Sequence, residues 1–425
     1  MAGQAPQSED ALIEGILPHL PLGSHALVGP GDDCAVVRGA DVVTTDMLVE
    51  GSHFWRDVSS AYQIGARAAA QNLADVAAMG AIPTSLVCAL ALPAEVEAQW
   101  VNEFARGLGE RCAAAGAGVV GGDITSGPVL TVSITALGSL EGRAPVLRSG
   151  ARAGHVVAVS GTLGLSAAGL KVASKQRETA EWRLVREPIA GAGAGVDSGG
   201  SPNTGALGAV TGESTAAGES SLAGQYTATG GAAVKRAVRG GGNGYSAGKS
   251  ASGGGTLDSA AAARALGIFC VPEPHLAAGV DAAVGGASAM MDVSDGLLRD
   301  CQRMAKASGV RIDIDQRAWA GAKDPAANPA SQRLEEAAHV LTECAAWLGY
   351  LGEQVADKVQ EWMLTGGEDH ALLAAFPTEE AALAAGFAVI GTCHPADGPH
   401  GASVTVLGEA PGNVVQKLGW DHLSR

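Results

Sequence analysis

The sequence predicts two domains of mixed α and β structure, in an α/β or α+β arrangement. Apolar runs of strand length alternate with longer segments of helical pattern along the chain. A length of 425 residues exceeds that of a typical single domain and allows two buried cores. A Gly- and Arg-containing segment at 148–154 separates the two halves. We therefore expect an N-terminal α/β domain over residues 1–150 and a C-terminal α/β domain over residues 151–425.

The elements of the first half follow from their patterns and from the residues that end them. The first helix stops at Pro18, which cannot continue it. The last strand alternates apolar and small polar residues. The expected strands cover residues 42–44, 85–92 and 129–137, and the expected helices cover residues 8–17, 61–79 and 95–115.

The second half opens with a strand directly after the boundary segment, followed by a helix that begins near Leu163. A further helix over 296–307 follows an apolar run that ends in aspartates. The expected strands cover residues 155–160, 289–292, 311–314, 363–365, 371–375 and 389–392.

The segment from about residue 189 to about residue 259 differs from the rest of the chain. It consists mainly of Gly, Ala, Ser and Thr and has almost no large apolar residue, so burial cannot offset its ordering entropy. We predict a disordered insertion within the second domain. Its string NGYSAGKS resembles a phosphate-binding loop, but Asn243 stands in place of the first glycine and no apolar strand precedes it. We therefore interpret the string as a chance match and exclude Lys249 from the site.

The composition excludes several classes of protein. A net charge of −16 argues against nucleic acid or an anionic membrane as the main partner. The 7 cysteines are dispersed and form no CxxC pair, which is typical of reduced thiols in a cytosolic protein. The first residues lack the basic segment of a signal peptide, and no window approaches the apolar length of a membrane span. We expect a cytoplasmic protein.

Five acidic patches indicate the chemistry. Carboxylates are costly to gather in one place unless a cation lies among them. Mg²⁺ binds few carboxylates and completes its coordination shell with phosphate and water. The patches therefore predict a site for magnesium and nucleotide phosphates; they read GPGDD (29–33), TTDMLVEGSHF (44–54), NLADVAAMGA (72–81), GGD (121–123) and MDVSDG (291–296).

Each patch also has a purely structural interpretation. GPGDD has the composition of a turn, and an Asp or Ser in MDVSDG is a common helix N-cap, although a cap accounts for only one carboxylate. Asn72 and Asp75 fall on one face of a helix among apolar neighbours, where an aspartate is disfavoured. The GGD patch places Asp123 at an expected strand end, where ligands of α/β sheets bind. Together, the patches from both halves favour a single composite site.

The motifs as a series resemble the thiamine-monophosphate kinase family. GPGDDCAVV, TTDMLVEGSHF, NLADVAAMGAIP, VVGGDITSGP, RSGARAGHVVAVSG, MDVSDGLLRD and LTGGEDHALL occur in the family's order and cover nearly the whole chain outside the insertion. The resemblance implies the two-domain fold of aminoimidazole ribonucleotide synthetase-like enzymes. It also implies transfer of the γ-phosphate of ATP to thiamine monophosphate, and a homodimer in which the N-terminal sheets join across the two-fold axis.

The resemblance assigns roles to individual residues, with several Mg²⁺ ions as cofactors and ATP as co-substrate. The implied catalytic residues are Asp75, Asp123 and Asp295. The implied Mg²⁺ ligands are Asp33, Thr44, Asp46, Asp75, Asp123, Asp292 and Asp295. ATP would contact Gly122, Asp123, Arg148 and Ser294, and thiamine monophosphate would contact His53, Glu368 and Trp420.

Two departures from the family pattern leave alternatives open. GGED is followed by His370-Ala-Leu where the family commonly has Tyr-Glu-Leu, and no tyrosine precedes the GGD strand to contact adenine. One alternative is an idle regulator that binds a nucleotide or a thiamine phosphate on the same scaffold. Another is a different ATP-using enzyme of the superfamily, but the reactive cysteines of its selenophosphate synthetase and hydrogenase-maturation members are not found in this sequence.

Overall fold

The structure is a computed structural model that describes residues 26–28, 32–38, 41–178, 259–315, 328–397 and 401–419. The first six strands form one sheet in the order β1-β2-β3-β6-β4-β5, in which only β4 and β5 run parallel. These strands are β1 (Ala26–Val28), β2 (Ala35–Val37), β3 (Asp41–Val49), β4 (Ile82–Leu92), β5 (Gly118–Ser126) and β6 (Thr131–Ser139). The sheet therefore ends in β5 on one side.

Two helices, α1 (Ala61–Ala78) and α2 (Ala98–Ala114), belong with this sheet. Helix α1 begins at a capping box, in which Ser60 and Gln63 exchange hydrogen bonds between side chain and backbone. Gly65 of α1 and Gly107 of α2 leave no room for a Cβ, since each would meet a carbonyl oxygen of the other helix. The two backbones therefore approach closely, and α1 is held tightly against α2.

The remaining strands form a second six-stranded sheet in the order β12-β9-β11-β7-β10-β8, in which only the β12–β9 pair is parallel. They are β7 (Val156–Ser160), β8 (Ala289–Val293), β9 (Val310–Ile314), β10 (Ala371–Phe376), β11 (Ala388–Pro395) and β12 (Val404–Val406). The helices of this half are α3 (Leu165–Glu178), α4 (Ala260–Cys270), α5 (Ala277–Val284), α6 (Leu297–Ser308), α7 (Pro329–Leu348), α8 (Glu353–Thr365) and α9 (Glu379–Ala384), with a 3₁₀ turn at Pro411–Asn413.

Helix α1 contacts both sheets. Its Ile64 and Leu73 are buried in the core of the first sheet. Ala77 and Ala78 at its C-terminal end belong instead to a cluster with residues of the second sheet, including Phe376. Small side chains at this crossing allow α1 to lie close to both sheets, so the polar residues of α1 can meet groups from either half.

Most expected elements are confirmed, with boundaries that differ by a few residues. The strand predicted at 363–365 is wrong: these residues form the last turn of α8. Trp362, Met363 and Leu364 are all buried there, and a short apolar run does not distinguish a buried helix from a strand. The predicted helix at 8–17, most of the insertion and Trp420 lie outside the described residues. The domain boundary at residue 150 stays a prediction.

Two observations concern the expected environment of the chain. All seven cysteines are free, and six of them are buried, as expected for reduced core thiols. None of the helices in the described part of the chain combines the length and the apolar character needed to cross a membrane.

Candidate functional site

Three of the predicted carboxylates converge where α1 meets the two sheets. Asp33 precedes β2, Asp75 lies in the last turns of α1, and Asp292 lies near the end of β8. Each offers a carboxylate oxygen, and these oxygens all lie within 4.8 Å of one another. The structure thus brings together side chains from both halves of the chain, as the sequence predicted.

Two further predicted ligands lie on β3 beside this cluster. Thr44 Oγ1 lies 3.0 Å from the carbonyl oxygen of Asp33 and 3.1 Å from Oδ2 of Asp75. Asp46 accepts a hydrogen bond of 3.1 Å from Nε2 of Gln71. Because alternate residues of a strand share a face, Thr44 and Asp46 both face α1. Strand β3 therefore adds a hydroxyl and a fourth carboxylate to the same region.

Burial makes ionisation of the clustered carboxylates costly. Desolvation raises the pKa of Asp33 and that of Asp292 to about 7 each, and the attraction of Arg148 only partly counteracts it. Desolvation and then the charge of Asp46 raise the pKa of Asp75 well above its usual value. Carboxylates in such a position need a positive partner to remain charged at neutral pH.

The donor set fits a hard divalent cation. Oδ2 of Asp33 is buried and has no hydrogen-bond partner among the described residues, which leaves a buried carboxylate oxygen able to bind a cation. Carboxylate and hydroxyl oxygens are the groups that Mg²⁺ prefers, and this ion keeps open positions for phosphate oxygens and water. Asp33, Asp75 and Asp292 could hold such an ion, with Thr44 and Asp46 in support.

Arg148 provides the positive charge that the structure itself contains. Its Nη2 lies 2.6 Å from Oδ1 of Asp33, and its backbone N–H donates to the carboxylate of Asp32. Its side chain is mostly buried. A guanidinium at this position can neutralise a carboxylate or grip a phosphate through two N–H groups.

Asp295 follows β8 and is held by neighbouring side chains. Its Oδ2 lies 2.7 Å from Nη1 of Arg303, which also lies 2.9 Å from Oδ1 of Asp300. Asp300 is fully buried and accepts a hydrogen bond of 3.0 Å from the backbone of Asp295. Desolvation and the charge of Asp295 raise the pKa of Asp300 to about 8. The MDVSDG turn is thus fixed by residues of α6, and neither a Ser nor an Asp side chain caps that helix.

The GGED loop before β10 contributes three consecutive side chains. Asp369 accepts hydrogen bonds from the backbone N–H groups of Gly164 and Leu165, at the start of α3. Glu368 and His370 on either side of it have φ values of 66° and 54°, an unusual conformation for residues other than glycine. Because Asp369 anchors the loop, its two neighbours can be held in this conformation and directed to different partners.

His370, the last residue of the GGED loop before β10, contacts the carboxylate cluster. Its Nδ1 lies 2.9 Å from Oδ2 of Asp292. Burial lowers the pKa of His370 to about 4, so the ring is neutral at neutral pH. A neutral imidazole that carries its proton on Nδ1 can donate to the Asp292 carboxylate and fix its orientation.

Asp123 is the predicted ligand that the structure places least favourably. It lies within β5, and the expectation that it ends a strand is wrong. Strand β5 is the exposed edge of its sheet, and no hydrogen bond or ion pair among the described residues joins Asp123 to Asp75. Gly122 beside it is required by packing, since a Cβ would meet the carbonyl oxygen of Cys88. The roles of Gly122 and Asp123 stay predictions.

The remaining predicted contacts are distributed around the site. His53 lies in the turn after β3, where its Nδ1 accepts a hydrogen bond of 3.0 Å from the backbone of Val49. The carbonyl oxygen of Ser294 accepts a hydrogen bond of 2.8 Å from the backbone of Glu368. Glu368 pairs with Arg67 of α1. Trp420 is outside the described residues, and its role stays a prediction.

Sequence reasoning missed several polar residues that support the site. Arg67, Gln71 and Asp75 recur at a spacing of four and thus lie along one stripe of α1, in a helix otherwise rich in alanine. This spacing was visible in the sequence. The contacts of Arg303 and Asp300 with Asp295 depend on how α6 follows β8, so no local pattern indicated them.

The raised pKa of Asp33 predicts how stability depends on pH in metal-free protein. Because the folded-state pKa of about 7 exceeds the usual aspartate pKa of 3.8, the folded state binds the proton more tightly. The resulting stabilisation is complete below about pH 4 and is lost as the pH rises through about 7. Asn at this position cannot ionise, so the stability of Asp33→Asn relative to wild type should rise between about pH 4 and pH 7, by on the order of a few kcal/mol at most.

Denaturant unfolding at a series of pH values, in the presence of a chelator, measures this difference. Asp281→Asn serves as a control because Asp281 is exposed on α5, and its difference from wild type should stay constant. A stability difference for Asp33→Asn that is constant, or that decreases with rising pH, would contradict the assignment.

Comparison with known proteins places the chain in a family. Residues 31–140 match the family model described as AIR synthase related protein, N-terminal domain. A thiamine-monophosphate kinase of Mycobacterium tuberculosis is 35% identical over 404 residues, which cover 94% of this chain and 88% of that protein. The corresponding kinase of Corynebacterium glutamicum is 32% identical and is matched over 81% of this chain and 75% of its own length.

Solved structures show the same fold. AaThiL complexed with AMPPCP and TMP matches with a TM-score of 0.62 and 24% identity, over 98% of this chain and 97% of that one. The thiamine-monophosphate kinase of Stenotrophomonas maltophilia matches with a TM-score of 0.56 and 25% identity, over 95% and 97%. The fold and the carboxylate site thus define an AIR synthase-related protein. Within that class, the chain belongs to the thiamine-monophosphate kinase family.

Proposed function

We propose that this chain transfers the γ-phosphate of ATP to thiamine monophosphate, which gives thiamine diphosphate and ADP. The convergence of Asp33, Asp75 and Asp292 from both halves of the chain is the observation that carries the proposal. It agrees with the activity named for relatives that match over most of the chain. Three clustered carboxylates exceed the charge of the Arg148 guanidinium beside them, which suits a cation that also binds phosphate oxygens.

We assign the predicted Mg²⁺ ions to this carboxylate site. Asp33, Asp75 and Asp292 would be the main ligands, with Thr44 and Asp46 beside them. When bound, magnesium would offset the repulsion between two polyanionic substrates and the charge that develops on the transferred group. The further roles assigned to Asp123 and Asp295 extend this proposal.

The proposed phosphate transfer does not require a side chain to remove a proton from the nucleophile. A phosphate oxygen of thiamine monophosphate is already anionic near neutral pH, so it can form the new bond to the γ-phosphorus without a general base. The bond from that phosphorus to the oxygen bridging it to the β-phosphate breaks, and ADP leaves. The side chains therefore act by orienting groups and balancing charge. Arg148, which now pairs with Asp33, is close enough to the cluster to contact a phosphate as well.

One assay tests the proposal directly. Purified protein is incubated with ATP, Mg²⁺ and thiamine monophosphate, and thiamine diphosphate is measured by chromatography. Formation of thiamine diphosphate and ADP in equal amounts is the expected result. Absence of product from protein that still binds ATP would favour an idle regulator.

We also propose that two copies of the chain pair through the first sheet. Strand β5 lies at the edge of that sheet, and all nine of its residues are exposed. They include Val120 and Ile124, whose exposed fractions are 68% and 62%. An exposed apolar edge strand is a template for pairing with another chain, and natural proteins usually cover or charge such edges. A second copy would cover this one.

Charge on β5 should prevent this pairing. The double variant Val120→Asp and Ile124→Asp should convert a dimer into a monomer, as measured by size-exclusion chromatography with light scattering. Leu351→Asp is the matched control, since Leu351 is 76% exposed but lies in the second half of the chain. A wild-type monomer, or a dimer that persists in the double variant, would contradict the proposed interface.

The two halves of the chain would contribute different parts of the site. We assign ATP, magnesium and the dimer contact mainly to residues 1–150, whereas Asp292, Ser294, Asp295 and Glu368 come from residues 151–425. The cytoplasmic location expected from the sequence stays a prediction.

A further inference from the structure

A buried arginine on α1 pairs with Glu368 but has not yet been given a role in substrate binding. Arg67 is only 1% exposed, and it heads the stripe that continues with Gln71 and Asp75. Arginine is almost never fully buried unless its charge is paired. A guanidinium enclosed at this position therefore points to a specific partner.

The partners of Arg67 come from two segments of the second half. Nη1 donates a hydrogen bond of 2.7 Å to the carbonyl oxygen of Phe269, at the end of α4, and the guanidinium lies 5.1 Å from the centre of the Phe269 ring. Nη2 pairs with Oε2 of Glu368. Burial lowers the pKa of Arg67 to about 10, so the group remains charged at neutral pH. Phe269 thus anchors the arginine, and the arginine in turn holds Glu368.

The backbone of Glu368 is constrained as well. Its φ of 66° is held by the hydrogen bond from its N–H to the carbonyl oxygen of Ser294. Gly367 packs so closely on the Ser294 carbonyl group that no Cβ fits. The direction of the Glu368 side chain is therefore fixed by its backbone at one end and by Arg67 at the other.

One oxygen of Glu368 remains available to a ligand. The side chain is 28% exposed, and its Oε2 is the oxygen that pairs with Arg67. No hydrogen bond to Oε1 joins it to another residue in the part of the chain that the structure describes. An ionised carboxylate with one oxygen held and the other open is a suitable acceptor for the exocyclic amine of an aminopyrimidine.

The helix α1 connects this carboxylate to the phosphate site. Arg67 and Asp75 are two turns apart on the same stripe, which corresponds to an axial distance of about 12 Å. One rigid helix therefore positions the carboxylate cluster at one end and Glu368, through Arg67, at the other. A ligand with a phosphate at one end and an amine-bearing ring at the other matches this arrangement.

We propose that Arg67 is a positioning residue that directs the Glu368 carboxylate toward the aminopyrimidine end of thiamine monophosphate. The inference rests on the proposed function, since it concerns how that substrate is recognised. Arg67 fixes the orientation of Glu368, so its loss should weaken binding of thiamine monophosphate and leave binding of ATP unchanged.

Steady-state kinetics of Arg67→Met and Glu368→Gln test the proposal. Methionine keeps an apolar stem of similar length and removes every donor. We expect the KM for thiamine monophosphate to rise about tenfold or more, which corresponds to about 1.4 kcal/mol or more. The Kd of the ATP analogue AMPPCP should stay within about twofold of wild type. The double variant should be no worse than the more impaired single variant, because both changes remove the same contact.

Two further variants separate positioning from a general effect on the fold. Arg106→Met removes an exposed arginine of α2, which pairs with Glu103 and Glu110. This variant should change neither the KM for thiamine monophosphate nor the Kd of AMPPCP. Arg67→Lys keeps the charge, but a single ammonium cannot reproduce the fork that reaches both Phe269 and Glu368. If Arg67→Met does not fold, the KM of Arg67→Lys for thiamine monophosphate tests the role of Arg67 instead. A raised KM for thiamine monophosphate at unchanged Tm supports the proposal, and an unchanged KM overturns it.

Calorimetric binding of thiamine monophosphate without ATP distinguishes failure of this proposal from failure of the proposed function. If wild type binds the compound, makes no thiamine diphosphate, and loses binding in Arg67→Met, the activity is refuted and the role of Arg67 stands. Equal binding of thiamine monophosphate by wild type and Arg67→Met overturns the role of Arg67. So does an Arg67→Met variant whose binding of AMPPCP is weakened as much as its binding of thiamine monophosphate. Wild type that does not bind thiamine monophosphate overturns both.

Discussion

Asp75→Asn should yield a folded protein whose turnover is lower by about 10³-fold or more. Asn preserves the size of the side chain and can still accept the hydrogen bond from Thr44. It removes the charge that, with Asp33 and Asp292, would hold a divalent cation. The expected loss is therefore chemical, with little effect on the fold.

The thermal stability of Asp75→Asn tests the assignment of Asp75 independently of turnover. Burial and the charges of Asp46, Asp292 and Asp33 all disfavour the ionised form of Asp75. Without bound metal at neutral pH, Asp75→Asn should consequently be at least as stable as wild type in thermal unfolding. The exposed Asp281→Asn again serves as the control. Near wild-type turnover in folded Asp75→Asn protein would remove Asp75 from the site.

Removal of divalent cations should abolish turnover altogether, with recovery on addition of Mg²⁺. The residues present bring three carboxylates within 4.8 Å of one another, and the arginines nearby are already paired with carboxylates, as Arg148 is with Asp33. Two polyanionic substrates could not approach such a site without added cations. Turnover with EDTA should therefore fall by more than about 10³-fold.

The fold should survive the same treatment. The two main core clusters consist of apolar side chains that do not depend on the carboxylates, so chelation should leave the far-UV circular dichroism unchanged. Ca²⁺ is the informative substitute, because it prefers longer bonds and more ligands than Mg²⁺ and should restore little activity. Turnover that persists after exhaustive chelation would refute a metal-dependent mechanism.

Much of the candidate site could be predicted from local sequence. Asp33 comes shortly after the string Gly-Pro-Gly, Asp75 lies where no structural preference favours an aspartate, and Asp292 ends an apolar run. These features depend on steric and solvation preferences of a few neighbouring residues, so they are visible without the fold. The alternation of β6 and the helical periods of α1 and α2 were readable for the same reason.

Other features depend on which segments pack together. The run at 363–365 could be a buried strand or a buried helix, and packing in the second core makes it the end of α8. Asp123 looked like its fellow aspartates, yet the strand order leaves it on an exposed edge. The partners of Arg67 come from α4 and from the loop before β10, far away in the chain.

The sequence by itself determined the mixed α and β architecture, the types of side chain available and the acidic character of the site. Only the tertiary structure decided which carboxylates meet, how far burial raises their pKa values, and which arginines balance them. The physical reason is that periodicity and turn formation are local properties of the backbone. Desolvation and ion pairing instead depend on every group that folding brings close, and here α1 brings Asp75, Gln71 and Arg67 against partners from both sheets.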